Sequence, residues 1–546
     1  MLTLFTAKSI ITMNPSMPAA DAILVGDGRI IEVGHEDKMQ PWLDAHPHTV
    51  DRQFSEKVIC PGFIDPHLHP TMAAVLLPME FITAMRWKLP WGIVEPTTTA
   101  EQFDQRMVAL HAQKEPDAPL FIWGYHQLWH GPMGKQRINN VSSERPMVVW
   151  HRSFHELYMN DAALKMTEIN EQDIKPGAQV DFSNGHFYEN GLGLAINRLN
   201  PWLLAPDKYA AGLQRLKQVV QHGGHTSIGD LATGLFDFES EANALASILD
   251  GDDVPFRTRL VAHGTAILKG SQSIEDGPAL AMQLIERNSH RLKFGKHIKL
   301  FCDGAFFSQL SQLMEPGYID GHQGEWLMPP EILEQNMRAY WHAGFQIHVH
   351  ACGDLGIELT LDLLEKMQAE KPRFNHGFTI EHFGFSTPEQ IKRIKALGAQ
   401  VSANVYYLHE LSDIYSREGI GYERASQMSR LASCFTNDIN TALHSDFTMA
   451  PAEPLNSAWV AVNRINHAGE VMCAQECLTA QQALEAITIN AAHVLGMAAD
   501  TGSLRAGKYA DFTILDEDPL TCDAMRIRDL RIHATVFEGK VFPLDS

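Results

Sequence analysis

Residues 61–69 read Pro-Gly-Phe-Ile-Asp-Pro-His-Leu-His, a mainly apolar stretch that ends in two histidines separated by one residue. Successive side chains of a β-strand point to opposite faces, so His67 and His69 share a face if this stretch is a strand. Two imidazoles at that spacing can chelate one metal ion. The alternative is a pair of polar residues on a half-exposed strand, and the residues that the fold places beside them decide between the two.

Strand-like and helix-like segments alternate along the chain after that stretch. The predicted strands are Val58–His69, His225–Leu231, Phe256–His263, His297–Asp303, Phe345–His350, Gly377–His382, Gln400–Tyr406 and Thr441–Asp446. The predicted helices cover about 208–221, 238–250, 273–289, 330–343, 354–370, 387–397 and 479–496. Eight strands, mostly separated by helices, favour an α/β protein with a (β/α)8 TIM barrel. An open, doubly wound parallel sheet is the alternative.

The barrel segment, residues 61–495, exceeds the about 250 residues of an ordinary barrel. We therefore predict an inserted lobe at about 80–205, after the first barrel strand, with its own strand-like run at Met147–Trp150. Residues 1–60 contain a hairpin signal, two apolar runs split by Gly-Asp-Gly at 26–28, and residues 496–546 also contain strand-like runs. Because chain termini often lie close together, the two ends are predicted to form one composite β-sandwich.

The overall composition excludes several classes of protein. Of the 546 residues, 45% are hydrophobic and 20% are charged, which excludes a disordered or collagen-like chain. The net charge of −22 argues against a nucleic-acid or anionic-membrane partner. The sequence has no apolar run of about eighteen residues, and its start lacks the basic and apolar regions of a signal peptide. Seven scattered cysteines, an odd number, favour reduced thiols and a cytoplasmic protein.

Further metal-ligating side chains lie at or near the ends of other predicted strands. Lys299 lies in an apolar strand, where it either reaches solvent with its head group or is buried with a depressed pKa. His350, His382 and Asp446 lie at the ends of later strands. The C-terminal ends of barrel strands meet at one rim, so these side chains are predicted to converge with the first two histidines. Such a set of imidazoles and a carboxylate would bind a borderline metal such as Zn²⁺.

Three segments, found in the expected order, resemble the amidohydrolase superfamily. They are the Asp27–Ile30 hairpin, the stretch at 61–69, and Gly502–Asp511, which is similar to the superfamily's return into its β-sandwich. The resemblance is to the YtcJ-like branch in particular, which includes N-substituted formamide deformylase-like enzymes. It covers nearly the whole chain and implies a metal-dependent hydrolase on a TIM barrel.

The resemblance also assigns a metal-binding set. His67 and His69 match the first-strand ligands of the family, and His350 and His382 match its fifth- and sixth-strand ligands. Lys299 matches a lysine that many relatives carry as a carbamylated, metal-bridging ligand. The implied cofactor is a divalent metal, most simply Zn²⁺, with one or two ions per chain and two favoured.

Three more residues receive expected roles from the same resemblance. Asp446, in a His-Ser-Asp segment, matches the eighth-strand aspartate, which is a ligand and the catalytic general acid and base. His155 resembles a substrate-side histidine that follows a glycine in relatives, although Phe154 stands in the glycine position here. His444 stands where relatives commonly have a small residue, so it is expected to hydrogen-bond the aspartate or to narrow the substrate pocket.

The implied reaction is hydrolysis of a carbon–nitrogen amide bond other than a peptide bond, by a metal-activated hydroxide whose proton is moved by the aspartate. A deaminase or a cyclic-amide hydrolase on the same barrel is an alternative, with a single metal ion and an unmodified lysine. A non-catalytic scaffold on a hydrolase fold is a further alternative, but such proteins typically lose metal ligands.

Aromatic residues of the inserted lobe, among them Trp123 and Tyr125, suggest the substrate. If the lobe closes over the barrel rim, these residues are expected to bind an apolar or aromatic N-acyl or N-formyl amine. The alternative is that they form the core of the lobe. The expected partners are a small-molecule amide and, in a homodimer, a second copy of the chain.

Overall fold

Eight parallel strands form a barrel in the computed structural model, which describes residues 1–115, 118–268 and 273–544. The strands are β1 Phe63–Leu68, β2 His225–Thr233, β3 Arg257–His263, β4 Leu292–Phe301, β5 Gln346–Ala351, β6 Thr379–His382, β7 Gln400–Ala403 and β8 Thr441–Leu443. Each strand pairs in parallel with the next one along the chain. The backbone N–H of Asp446 donates to the carbonyl oxygen of His67 at 2.9 Å, which brings the end of β8 to β1. The alternative of an open, doubly wound sheet is therefore wrong.

Helices follow the barrel strands and cover the outside of the sheet. The α-helices of this part are Pro70–Leu76, Pro206–His222, Phe238–Leu249, Gly277–Leu284, Pro330–His342, Asp354–Glu370, Pro388–Leu397, Ser412–Glu418, Tyr422–Ala425, Leu431–Thr436, Pro454–Asn463, Ala480–Ala486 and Ile489–Val494. Ile64 of β1 and Ala442 of β8 pack in one apolar cluster with Val494 of the last helix. Burial of an aliphatic side chain of this kind contributes about 1.5–3 kcal/mol, so this helix supports the closing of the barrel.

The sequence prediction of one long strand at Val58–His69 is wrong, because two strands of different sheets meet there. Val58–Pro61 pairs with Phe512–Leu515 outside the barrel, whereas β1 begins at Phe63. Gly62 lies between them and donates its N–H to the carbonyl oxygen of Asp511 at 3.0 Å. A Cβ atom at Gly62 would lie 2.0 Å from Oγ1 of Thr226, so only glycine allows this close approach.

Both ends of the chain contribute to one sheet of eight strands. These are Leu2–Ile11, Ala19–Gly26, Arg29–Gly34, His48–Asp51, Val58–Pro61, Phe512–Leu515, Ile532–Phe537 and Lys540–Pro543. The predicted hairpin at 22–33 is confirmed, with Asp27 and Gly28 at φ values of 50° and 75° in its turn. Arg257 of the barrel is buried and makes an ion pair with Asp511 beside this sheet, so a buried charge pair joins the two parts.

A second sheet lies, in chain order, between β1 and β2, where the insertion is predicted. Its strands are Glu80–Phe81, Leu120–Tyr125, Met147–His151, Glu156–Met159, Val180–Asp181 and His186–Tyr188. The α-helices of this segment are Ala100–Gln113, Gln127–His130, Lys135–Asn139, Asp161–Met166 and Leu192–Leu203, and its two-stranded hairpin is Trp87–Leu89 and Gly92–Val94. None of the helices that the structure describes combines the length and the apolar character needed to cross a membrane.

Candidate metal centre

The candidate metal centre begins with the two histidines at the end of β1. The ring centroids of His67 and His69 lie 5.1 Å apart. Oδ1 of Asp446, which follows β8, lies 3.0 Å from Nε2 of His69 and 3.5 Å from Nε2 of His67. One ligand atom from each of the three residues lies within 4.8 Å of the others. Two imidazoles and a carboxylate at this spacing form a donor set that suits Zn²⁺.

Three more side chains extend this group across the mouth of the barrel. Nδ1 of His382 lies 3.5 Å from Oδ2 of Asp446, and Nε2 of His382 lies 3.5 Å from Nζ of Lys299. The ring centroid of His350 lies 4.2 Å from that of His382. The structure therefore brings the six predicted ligands together, and all six line one cavity.

Backbone geometry at two strand ends turns side chains toward this centre. The sequence prediction that Asp446 ends a strand is wrong, because β8 stops at Leu443 and Asp446 lies in the following turn with a φ of 55°. His382 has a φ of 75°. A non-glycine residue in the left-handed region costs about 1–2 kcal/mol. The side chains of Asp446 and His382 lie 3.5 Å apart, and strained backbone of this kind concentrates at functional sites.

Burial sets the protonation states of the candidate ligands. Burial holds the pKa of His67, His350 and His382 well below the ordinary value, because the imidazolium form loses its hydration. These rings are therefore neutral near pH 7, which is the form that binds metals. Burial also lowers the pKa of Lys299 to about 8. For Asp446, burial favours a higher pKa, but the hydrogen bond with His69 and nearby positive charge bring the pKa below its usual range.

A buried carboxylate that the sequence analysis did not single out orients the histidines. Oε2 of Glu381 accepts a hydrogen bond from Nδ1 of His67, and Oε1 accepts one from Nδ1 of His348, both at 2.7 Å. Metal-binding histidines commonly donate their second ring N–H to a carboxylate, which fixes the ring and its tautomer. The sequence signal for Glu381 is that it is the single acidic residue of the buried strand β6 and directly precedes the predicted ligand His382.

Two buried ring nitrogens without a hydrogen-bond partner indicate whether a cation fits this site. Nε2 of His67 and Nδ1 of His382 are buried and have no hydrogen-bond partner among the described residues. A buried polar atom without a partner is costly, and a cation would satisfy both lone pairs. Together with the carboxylate of Asp446, these nitrogens form a site that fits a divalent cation.

The cavity lined by the candidate ligands has a volume of about 690 Å³. Much of its remaining wall is apolar and comes from the helix Leu192–Leu203 and from the segment after β2. The apolar residues of these two segments in the wall are Leu192, Ile196, Leu235, Phe236 and Phe238. Phe154 also lines the cavity and stacks on Trp150, with ring centroids 4.8 Å apart and an interplanar angle of 16°.

His155 lines the same cavity, as the resemblance implies for a substrate-side residue. Its ring centroid lies 5.4 Å from that of His350. Nδ1 of His155 lies 2.7 Å from Oε2 of Glu189, a partner that the sequence analysis missed. Burial favours a lower pKa for His155, but the charge of Glu189 outweighs it and the pKa is raised. The pair of His155 and Glu189 therefore presents a positively charged or hydrogen-bonding imidazole to the cavity that the candidate metal ligands line.

The other residues predicted to bind substrate lie outside the described cavity wall. Trp123 is fully buried and packs between Phe81 and Trp87, with centroid distances of 4.9 and 5.3 Å. Tyr125 is buried in an apolar cluster of the lobe, and its hydroxyl donates to the carbonyl oxygen of Gly131. The two aromatics therefore belong to the core of the lobe, which is the alternative considered above.

The expectation for His444 also needs correction. The ring is buried in the barrel interior, where Nδ1 lies 2.7 Å from Oγ of Ser402, and it is absent from the described cavity wall. No hydrogen bond joins it to Asp446 in the described part of the chain, so it neither supports that carboxylate directly nor narrows the pocket. The side chain follows β8 and is buried beside Ser402 of β7.

Comparison with known proteins finds relatives that match nearly the whole chain. Two curated relatives match at 23% identity: N-substituted formamide deformylase of Arthrobacter pascens, over 97% of this chain and 96% of the relative, and putative amidohydrolase YtcJ of Bacillus subtilis, over 97% of each. The crystal structure of an uncharacterized metal-dependent hydrolase from Pyrococcus horikoshii superposes with a TM-score of 0.72 at 21% identity. It covers 96% of this chain and 99% of that one, which shows a shared fold.

The family comparison identifies the chain. The family model described as "Amidohydrolase family" matches residues 55–543, from the last strand before the barrel to the last strand of the terminal sheet. The relatives indicate the YtcJ-like branch. The chain belongs to the amidohydrolase family and is a hydrolase that acts on carbon–nitrogen bonds.

Proposed function

We propose that this protein hydrolyses the amide bond of an N-acyl or N-formyl amine that carries an apolar or aromatic group. The cavity is the observation that carries the proposal, because candidate metal ligands line one part of it and apolar side chains line much of the rest. Its volume of about 690 Å³ falls within the about 300–1,000 Å³ of small-molecule sites. A similar protein of A. pascens is named for its action on N-substituted formamides, which supports this substrate class.

Two groups of residues would hold divalent cations. His67, His69 and Asp446 would hold one ion, and His350 and His382 the other, with Zn²⁺ favoured by the nitrogen and oxygen donors. When bound, such an ion polarises a carbonyl oxygen and lowers the pKa of water toward 7.

Asp446 is the residue that moves the proton. Its carboxylate lines the cavity and stays ionised because its pKa is below the usual range. It accepts a proton from the attacking water as the new C–O bond forms, and it returns the proton to the amine nitrogen as the C–N bond breaks. General acid–base catalysis of this kind contributes about 10²–10⁴-fold to the rate. His155, held by Glu189, would hydrogen-bond the substrate in the same cavity.

Lys299 would become a carbamate in this proposal. Its Nζ is buried and lies 3.5 Å from Nε2 of His382, and burial lowers its pKa to about 8 although Glu381 and Asp446 favour the charged form. The neutral amine would add to CO₂, forming an N–C bond and releasing one proton. The product carries two oxygen donors, which suits a ligand shared by two cations.

We also propose a division of the chain into domains. The chain ends, 1–60 and 496–546, form a β-sandwich, and 61–495 form the barrel with an inserted lobe at about 80–205. The pairing of strands from both chain ends in one sheet supports this division.

A panel of small amides tests the proposed function. The zinc-loaded protein is incubated with N-formyl and N-acetyl derivatives of an aromatic amine and of a short alkyl amine, and released amine is measured. We expect amine release with a preference for the aromatic compounds. Release of ammonia from amino-substituted heterocycles, with no amine from any amide, would instead identify a deaminase.

A further inference from the structure

His444 is buried in the barrel interior next to the candidate ligands, and one of its ring nitrogens lacks a partner. Nε2 of His444 has no hydrogen-bond partner among the described residues. Its side chain is fully buried, so solvent does not supply one at the surface. An unpartnered buried nitrogen also occurs at Nε2 of His225, so the position of His444 beside two candidate ligands is what makes its nitrogen a candidate donor.

Two groups face the other ring nitrogen of His444. Nδ1 lies 2.7 Å from Oγ of Ser402 and 3.7 Å from Oε2 of Glu381. The hydroxyl of Ser402 can donate to Nδ1 or accept from it, and 3.7 Å is too long for a hydrogen bond to the carboxylate. In the tautomer with the proton on Nδ1, Nε2 carries the lone pair, as it does in His67, whose Nδ1 donates to Oε2 of Glu381.

The unpartnered nitrogens belong to three rings that converge. The ring centroid of His444 lies 4.5 Å from that of His67 and 5.2 Å from that of His382. One ring nitrogen from each of the three histidines lies within 4.8 Å of the others. Each of these histidines has one buried nitrogen without a partner. Three buried imidazoles with ring nitrogens this close, each with one nitrogen unpartnered, form a candidate donor set for a transition-metal ion.

We propose that His444 is an additional metal ligand, whose Nε2 binds the cation that is shared with His67. The inference rests on the proposed function only in requiring that a divalent cation binds at the barrel mouth. It extends the ligand set to a side chain that is absent from the described cavity wall. His444 would add a third nitrogen donor beside His67 and His382, with which it shares a group of ring nitrogens within 4.8 Å of one another, and the cation there would be bound more tightly than without it.

The test measures Zn²⁺ affinity by competition with a chelator in wild type, in His444→Gln and in the control His225→Gln. His225 is also buried in the barrel and also has an unpartnered Nε2, but it lies at the start of β2, at the opposite end of its strand. Loss of a residue that only supports a ligand costs about 10–100-fold in metal affinity, and loss of a ligand costs at least as much. We therefore expect Zn²⁺ binding to weaken by about tenfold or more in His444→Gln and to stay unchanged in the control.

Ring-¹⁵N spectra of histidine-labelled protein give a second readout that does not depend on activity. With two Zn²⁺ ions bound, the proposal predicts five metal-bound imidazoles in wild type and four in His444→Gln. Equal affinity in the two proteins, or four metal-bound imidazoles in wild type, would overturn it. If the variant does not fold, the number of metal-bound imidazoles in the wild-type spectrum is a sufficient test of the proposal. A wild-type protein that binds no Zn²⁺ would instead contradict the proposed function itself.

Discussion

Asp446 donates its backbone N–H to the carbonyl oxygen of His67, so the hydrogen bond that joins the two edges of the barrel also joins two candidate metal ligands. The side chains of the same two residues lie 3.5 Å apart, from Oδ1 to Nε2. The contact that closes the barrel thus also holds two candidate metal ligands close together. This coupling implies that the metal affects the stability of the fold, because a ligand that binds only the folded state stabilises it.

Asp446→Asn should separate catalysis from metal binding. An amide keeps an oxygen donor at this position but cannot take up the proton, so turnover should fall by about 10²–10⁴-fold. We expect most of the metal to remain bound, as measured by elemental analysis of the purified variant. Asp37→Asn, at an exposed position, is the control and should match wild type. Near-normal turnover in Asp446→Asn would refute the assigned role.

Lys299→Ala should remove both the carbamate and one metal ion. In wild type, ¹³C-labelled bicarbonate should yield a carbamate carbon signal, which should be absent from the variant. Metal content should fall from two ions to one per chain, because the shared ligand is missing. Lys296→Ala changes an exposed lysine of the same strand and should alter neither measurement. Two ions per chain in Lys299→Ala would count against the bridging role.

Glu381→Gln should weaken metal binding although Glu381 itself is no candidate ligand. The carboxylate accepts from Nδ1 of both His67 and His348, and an amide cannot accept from both in the same way. Loss of a supporting carboxylate typically costs about 10–100-fold in metal affinity. Titration with Zn²⁺ measures the change, with the exposed Glu389→Gln as the control. Unchanged affinity would mean that Glu381 does not position His67.

Phe154 offers a test of backbone strain at the cavity wall. The residue has a φ of 65°, a conformation that glycine adopts freely and other residues adopt at a cost of about 1–2 kcal/mol. Phe154→Ala and Phe154→Gly both remove the ring that stacks on Trp150, but only glycine also removes the strain. Urea denaturation should therefore find the glycine variant about 1–2 kcal/mol more stable than the alanine variant. Equal stability of the two would argue against strain at this position.

The sequence predicted the parts of the site that follow from strand alternation and barrel topology. Two histidines one residue apart share a strand face, and the ends of parallel strands meet at one rim, so the convergence of Lys299, His350 and His382 with β1 could be expected. The break at Gly62 could not, because it depends on the contact with Thr226, a residue that is remote in sequence.

Other features of the site depend on local backbone angles and on packing. Asp446 has a left-handed φ and lies in the turn after β8. The alternation of polar and apolar residues in the sequence cannot show such a turn. Trp123 and Tyr125 are aromatic residues of the kind that often lines substrate pockets, but they pack inside the lobe. The sequence cannot separate the two cases, because a buried aromatic residue looks the same whether it lines a core or a cavity. The role of Glu381 emerges only when β1 and β6 lie on facing sides of one barrel interior.

The most direct test of the metal centre is an anomalous difference map of a zinc-loaded crystal, recorded above and below the zinc absorption edge. We expect a strong peak bounded by His67, His69 and Asp446, with ligand distances of about 2.0–2.2 Å. A map with no peak among these three residues, at full zinc occupancy in solution, would contradict it.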